Sequence, residues 1–277
     1  MSNINRVLID SRFRTPDSKS TSDFRVELPE GLQMGEQMAC VTCDISLPVT
    51  WYTIETNVND KLYFRIYEEE DGVITYKDYI MQLPSRNYNR TQVAETLTAG
   101  FLAMNVPLSA SEDIFRNEIR IFLPTTSPLS FMIFTNTDLR SRCNNTWLGE
   151  YYIPSNPQSI NDMLANSERD MKRYDALNRF QSGRFRIVPH PVLYIVCPQL
   201  GTFGNLGPQG ERDILKKILV TADQNELMFE QYINIDDYVD VSKLSVRNIS
   251  FKLTDVYGNV IDLHGRDWSF TLLFKPI

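Results

Sequence analysis

The sequence is poor in the residues on which much enzyme and metal chemistry depends. It holds two histidines, His190 and His264, and four cysteines among 277 residues. Four cysteines in a chain of this length do not make a disulfide scaffold, and two histidines leave little room for histidine-based catalysis or zinc binding. Positive charge is not in excess either, since the net charge is −7, whereas a compact nucleic-acid-binding domain is normally basic. We therefore expect no catalytic residue, cofactor or metal, and no specific nucleic acid.

Long apolar runs are also missing. No segment reaches the length of a membrane-spanning helix, and the first residues, Met1 to Arg6, are polar rather than an apolar signal region. We therefore expect neither membrane insertion nor secretion through a signal peptide. The overall content of 42% apolar and 23% charged residues is that of a globular protein with a substantial core.

The strongest positive signal is alternation of apolar and polar residues along short segments. Successive side chains of a strand point to opposite faces, so such segments predict half-buried antiparallel strands and, in this number, a β-sandwich or barrel. The alternating apolar rows are Phe24, Val26 and Leu28; Val41, Cys43, Ile45 and Leu47; Leu62, Phe64 and Ile66; Ile119, Ile121 and Leu123; Phe185 and Ile187; Ile249, Phe251 and Leu253; and Trp268, Phe270, Leu272 and Phe274.

Helical patterns are few, and turn signals separate the strands. The spacing of apolar residues predicts a helix over residues 91–104, with Asn89 as its N-cap and Gln92 three residues on. A second, weaker pattern predicts a helix from Ile160 to about Lys172, capped by Ser159. Hairpin turns are expected at residues 68–72 and 255–259, where acidic residues and glycine interrupt the apolar rows.

The mixture of predicted strands and helices changes twice along the chain. Residues 1–58 and 183–277 read as strand after strand, whereas residues 59–182 combine strands, a helix and an irregular section. We therefore predict a discontinuous β-sandwich (1–58 and 183–277) that carries an inserted mixed α+β domain (59–182) in one of its loops. A single sandwich with long loops is the alternative.

Candidate chemical motifs are weak. Cys40 and Cys43 have a Cys-x-x-Cys spacing, but they lie on a predicted strand and should face opposite sides, which does not suit a zinc site. His190 and Cys197 are too far apart along a strand for a nucleophile–base pair unless the chain turns. A Gly-x-Ser-x-Gly motif is absent. The sequence therefore favours a protein that is not an enzyme.

Two charged segments of opposite sign remain. Residues 223–240 carry six acids and no Lys or Arg, and calcium binding is conceivable there, although the spacing does not fit an EF-hand. Residues 169–186 carry six Arg or Lys against two Asp. We hypothesise that the two segments meet between neighbouring copies of the chain, with solvated surfaces as the alternative. The residues proposed for this subunit interface are Arg169, Arg173, Asp236, Asp237 and Asp240.

Both ends of the sequence resemble a known family. The N-terminal signature is Val7-Leu8-Ile9-Asp10-Ser11-Arg12 followed by Ser22-Asp23-Phe24-Arg25-Val26-Glu27-Leu28, and a later strand ends in Asp44-Ile45-Ser46-Leu47-Pro48. The C-terminal signature is Ile249 to Leu253, an Asp255-x-x-Gly258 hairpin and the closing strand Ser269 to Phe274. These segments resemble the penton and single jelly-roll minor capsid proteins of Polinton/Maverick elements, adintoviruses and virophages. The resemblance covers the two outer blocks and not the middle of the chain.

The resemblance implies an antiparallel jelly-roll and a structural role in a virus capsid. It implies a homopentamer that closes the five-fold vertices of an icosahedral shell, next to a double jelly-roll major capsid protein. The inserted domain would then be available to a host receptor or a fibre, and the protein would assemble inside the host cell and reside in the virion. The alternatives are a cement or minor capsid protein away from the vertex, and a carbohydrate- or receptor-binding module that uses Trp147, Tyr151 and Tyr152 as a ligand platform.

Overall fold

Antiparallel strands dominate the architecture. The computed structural model describes residues 6–135, 138–139, 147–148, 151–152, 159–164, 172–183, 189–201, 205–208, 210–231 and 237–276. The strands in these residues are β1 Arg6–Asp10, β2 Asp23–Gln33, β3 Met38–Pro48, β4 Lys61–Glu70, β5 Val73–Gln82, β6 Ser109–Asp113, β7 Glu118–Phe122, β8 Ser130–Ile133, β9 Trp147–Leu148, β10 Tyr151–Tyr152, β11 Phe180–Gln181, β12 Val192–Val196, β13 Ile214–Leu219, β14 Leu227–Glu230, β15 Tyr238–Asp240, β16 Ser245–Thr254 and β17 Ser269–Pro276. The helices are α1 Arg90–Ala103 and α2 Ile160–Met163.

The chain divides into two compact units. The first unit consists of Met1–Trp51 together with His190–Ile277, and the second unit is the intervening segment Tyr52–Pro189. The chain thus leaves the first unit after β3 and returns to it just before β12. The sequence placed the corresponding boundaries at residues 58/59 and 182/183. That the second unit is a domain inserted into a loop of the sandwich stays a prediction.

The first unit is a sandwich of two sheets, each four strands wide. Sheet one has the order β1-β17-β3-β14, with β15 pairing along the same edge of β3 as β14, and sheet two has the order β13-β12-β16-β2. Every pairing in both sheets is antiparallel. If β14 and β15 count as one interrupted strand, the two sheets contain eight strands, and the orders β1-β17-β3-β14 and β2-β16-β12-β13 are those of a jelly-roll. The predicted antiparallel jelly-roll is therefore confirmed.

Large apolar side chains from both sheets fill the space between them. Phe24 packs against Phe251 and Trp268, and Phe270 lies between Phe251 and Trp268 with ring centroids 5.0 and 4.9 Å away. The predicted row of the closing strand, Trp268 to Phe274, is buried in this core. Because β17 lies between β1 and β3, its inward side chains are in the interior of the sheet rather than at its edge.

Strand β3 corrects the predicted pattern at one point. A bulge places three steps of β3, Cys43 to Ser46, opposite two steps of β17, and Asp44 adopts a left-handed φ of 52°. The extra residue reverses the facing of the side chains, so that Ile45, Leu47 and Cys40 belong to the core. Val41 and Cys43 are buried but on the outer side, opposite Leu273 and Thr271 of β17. The expectation that Val41 and Cys43 share the core row with Ile45 was therefore wrong.

The second unit combines two three-stranded sheets with a helix. One sheet has the order β5-β4-β8 and the other β11-β7-β6. Helix α1 packs its buried face, which includes Val93, Leu97 and Phe101, into a core shared with β4 and β7. The β4–β5 hairpin turns at Asp71 and Gly72, both with positive φ, as the sequence predicts for residues 68–72.

Helix α1 begins where the sequence predicts. The Asn89 side chain accepts a hydrogen bond from the Gln92 backbone N–H, and the Gln92 side chain accepts one from the Asn89 backbone N–H. This reciprocal capping box satisfies two backbone donors that a helix otherwise leaves without partners. Helix α2 is capped by Ser159 as predicted, but the expected continuation to Lys172 falls on residues 165–171, outside the described residues. The expected strand through Phe185 and Ile187 also lies outside them.

Candidate assembly surfaces

A buried lysine joins the two sheets of the first unit at one edge. Lys216 projects from β13 into the sandwich, where only 6% of its side chain is exposed, and its Nζ lies 2.6 Å from Asp237 and 3.3 Å from Glu230. Glu230 ends β14 and Asp237 immediately precedes β15, so both carboxylates belong to the edge of sheet one. The ion pairs therefore hold the β13 edge of sheet two against the β14–β15 edge of sheet one.

The protonation state of Lys216 follows from these contacts. Burial alone lowers the pKa of a lysine, but the hydrogen bond from Lys216 to Asp237 and the two carboxylate charges outweigh burial and raise the pKa above its ordinary value. Lys216 is thus a cation at neutral pH. Inward-facing charges at a sheet edge also discourage unwanted strand pairing, because another chain would have to bury them.

The structure gives two of the proposed interface residues ion-pair partners within the chain. Asp237 pairs with Lys216, as described above. Arg173, in the second unit, forms an ion pair with Glu69 at 3.7 Å, donates a hydrogen bond to Ser130 and lies 4.7 Å from the ring centroid of Tyr67. Contact between these residues in neighbouring copies stays a prediction.

The other three proposed interface residues differ in how much the structure shows. Asp240 is exposed, and its carboxylate accepts hydrogen bonds from the backbone N–H and hydroxyl of Ser242. These bonds lower the pKa of Asp240, so it is a carboxylate at neutral pH. Arg169 and Asp236 lie outside the described residues.

The proposed ligand platform is described only in part. Trp147 pairs with Tyr152 and Leu148 with Tyr151 in the short hairpin of β9 and β10. The side chains of this hairpin lie outside the description, so its use as a carbohydrate platform stays a prediction.

The buried cysteines and His190 are in environments that suppress their reactivity. Burial raises the pKa of Cys197 to about 12, so its thiol is protonated at neutral pH, and the Sγ donates to Gln199. Burial lowers the pKa of His190 to about 4, which keeps its imidazole neutral. The His190 ring packs edge-on against Trp51 at 6.0 Å. The predicted opposite facing of Cys40 and Cys43 is also observed, with Cys40 in the core and Cys43 on the outer side of sheet one.

The outer surface of sheet one is unusually apolar for a solvated sheet. Outer faces of antiparallel sheets normally carry polar residues, but here exposed apolar side chains lie on both edge strands. They are Leu8 of β1, Leu227 and Phe229 of β14, and Tyr238 of β15. The exposed side chains of β14 and β15 could not be anticipated from the sequence, because these short strands lie inside the acidic segment 223–240, which was interpreted by charge alone.

The described residues contain no helix with the length and hydrophobicity needed to cross a membrane.

Comparison with solved structures identifies a shared fold. The chain superposes on the crystal structure of the mavirus penton protein with a TM-score of 0.54, over 99% of this chain and 99% of that one, at 9% sequence identity. The likeness is one of fold. It confirms the fold that the terminal segments of the sequence suggested. No protein-family model matches the sequence, and no curated protein matches it significantly.

Proposed function

We propose that this chain is a structural capsid protein that forms a homopentamer and closes the five-fold vertices of an icosahedral capsid. The observation that carries the proposal is the fold shared with the mavirus penton protein along nearly the whole of both chains, which includes both units of this one. A likeness restricted to the sandwich would fit any jelly-roll protein, since jelly-rolls occur in lectins as well as capsids. The full-length likeness favours the penton role.

The mechanism of such a protein is geometric rather than catalytic. Copies related by rotation contact each other through two different surfaces, and the ring closes when the rotation between neighbours divides the circle evenly. The closed ring would then be bordered by a double jelly-roll major capsid protein, and the second unit would be available to a host receptor or fibre. In this proposal the protein resides in the virion and is assembled inside the host cell.

The proposal is tested by the stoichiometry of the purified full-length chain. Native mass spectrometry should find a complex of five chains of 32.1 kDa each. Dilution should yield monomers without stable complexes of two or three chains, because the intermediates of a ring lack the closing contact. A monomer at every concentration would argue against the penton role and for the minor capsid or carbohydrate-binding alternatives, of which the latter is tested by glycan-array binding.

A further inference from the structure

Two flanks of the first unit have the properties of complementary contact surfaces. The β14–β15 flank is the outward side of β14 and β15, whose alternate residues Met228 and Val239 belong to the core. The β12–β13 flank is the outward side of β12 and β13, whose alternate residues Leu193, Ile195 and Ile218 belong to the core. The β14–β15 flank presents Glu226, Leu227, Phe229, Tyr238 and Asp240, and the β12–β13 flank presents Val192, Tyr194, Val196, Lys217 and Leu219.

Both flanks expose large apolar side chains. Phe229 is 65% exposed on the β14–β15 flank, and Leu219 is 58% exposed on the β12–β13 flank. The shapes of the two flanks are also complementary. A cavity of about 500 Å³ opens beside β13, lined by apolar side chains such as Tyr194 and Leu206 and by the Lys216–Asp237 ion pair, whereas Phe229 projects from its strand. An exposed aromatic side chain that fills a cavity of the partner is a common anchor at the centre of a protein interface.

The charges of the two flanks are opposite. Glu226 and Asp240 lie on or beside the β14–β15 flank, and none of the ion pairs found in the described residues involves them. Lys217 of β13, and Lys252 of β16, which lies opposite Val196 of β12, are likewise without an ion pair in the described part of the chain. Complementary charge sets the register of an interface and excludes wrong pairings.

The position of the flanks suits a ring. They face away from each other, one on each sheet, but they share one edge of the sandwich, where Lys216 joins β13 to β14 and β15. Identical copies that stack one flank on the other form a heterologous contact, which closes into a ring when the rotation between neighbours divides the circle evenly. A contact between two identical flanks would instead stop at a dimer.

We infer that the β14–β15 flank of one copy binds the β12–β13 flank of the next, with the Phe229 ring entering the cavity beside β13. The occupant of each flank is therefore a second copy of this chain. The inference rests on the proposed homopentamer and names the surfaces that form it.

The test uses one variant for each flank of the full-length protein. Phe229→Asp damages the β14–β15 flank and Leu219→Asp damages the β12–β13 flank, while Phe13→Asp is the matched control because Phe13 is 78% exposed in the same unit but belongs to neither flank. Each flank variant should raise the dissociation constant between copies by about tenfold or more, and the control should assemble like the unmodified protein. Thermal unfolding of each variant verifies that the fold is retained.

Mixing the two flank variants gives the sharpest outcome. Each variant keeps one intact flank, so an equimolar mixture should form a 1:1 complex and no ring. If neither variant weakens the pentamer, or if the mixture forms no complex, this interface is wrong although the penton role stands. If the unmodified protein itself is monomeric, the proposed function fails first.

A charge exchange provides a second, milder test. Lys217→Glu should weaken the ring, and adding Asp240→Lys in the same chain should restore it, since the opposite charges are then exchanged between the flanks. Failure of the double variant to recover assembly would overturn the charge pairing.

Discussion

At the scale of single residues, Lys216 shows how a charge is kept inside a sandwich. Its stem passes through the core side of β13, and its Nζ reaches two carboxylates on the opposing sheet. Loss of one partner of a buried ion pair is costly because the remaining charge keeps its desolvation penalty without the compensating attraction. The contribution of the pair itself is smaller and has to be measured by a double-mutant cycle.

We predict that Lys216→Met lowers the free energy of unfolding by about 1–3 kcal/mol, because it leaves Glu230 and Asp237 facing each other without a cation. The double variant Lys216→Met/Asp237→Asn should lose less than the sum of the two single variants. Urea denaturation at neutral pH measures both. Additive losses would show that Lys216 and Asp237 do not interact in solution.

His190 makes stability depend on pH. The pKa of His190 is about 4 in the folded protein, against an ordinary value of 6.5. Above pH 6.5 the imidazole is therefore neutral in both the folded and the unfolded chain, and its protonation does not reduce the free energy of unfolding. Below pH 6.5 the unfolded chain binds the proton first, and stability falls until the folded protein also binds it near pH 4. The expected loss is about 3 kcal/mol.

The variant His190→Gln isolates this contribution. Carboxylates also titrate in this range, so the informative quantity is the difference in unfolding free energy between the protein and the variant at pH 7 and pH 4.5. The variant should lose less stability over that interval. Equal pH dependence of the two proteins would show that His190 is not held neutral by burial.

At the scale of elements, the closing strand β17 holds sheet one together. It pairs with β1 on one side and β3 on the other. The indole of Trp268, the residue before it, donates a hydrogen bond to the Thr21 carbonyl at 2.8 Å. Removal of a single large aromatic side chain from a core typically costs about 3–5 kcal/mol.

We predict that deletion of residues 266–277 abolishes soluble, cooperative folding. A chain that ends at residue 275 is the control, since it keeps the core row up to Phe274 and should remain soluble. Circular dichroism with thermal unfolding distinguishes the outcomes. A cooperative transition in the longer deletion would contradict the central position of β17.

The elements also show which features the sequence could predict. Helix α1 and its cap depend on residues within one turn of each other, so Asn89 and Gln92 were sufficient to locate its start. The strand rows from Phe24 and from Trp268 were readable because each keeps its alternation. Strand β3 was not, because the bulge at Asp44 reverses the facing of its side chains without any interruption in the pattern.

The candidate surfaces were harder to predict than the strands. The partner of Asp237 is a lysine on another strand, 21 residues earlier, and no local pattern reports a contact between two sheets. Short strands such as β14 and β15 carry too few alternating residues to be recognised, so the exposed side chain of Phe229 had no context in the sequence. Prediction of the candidate surfaces therefore required knowledge of the fold, whereas the fold class could be predicted from local alternation and the terminal motifs.

At the scale of the whole molecule, the division into two units raises the question of whether the first unit can fold without the second. The first unit is interrupted between Trp51 and His190, whose rings lie 6.0 Å apart. The two residues that border the second unit are therefore close enough to be joined by a short connection in its place. The entropy of closing a loop grows only slowly with its length.

We predict that replacement of residues 52–189 by a short Gly/Ser linker leaves the first unit folded. The variant should retain β-sheet circular dichroism and a cooperative thermal transition. Loss of both would favour a single sandwich whose long loops are needed for folding.

The central claim, that this jelly-roll chain builds a five-fold vertex, is tested most directly by electron cryo-microscopy of the purified full-length protein. The account predicts class averages of closed rings with five-fold symmetry, in which the sandwiches of the first unit contact each other. Single copies at every concentration, or particles with two-fold or three-fold symmetry, would contradict it.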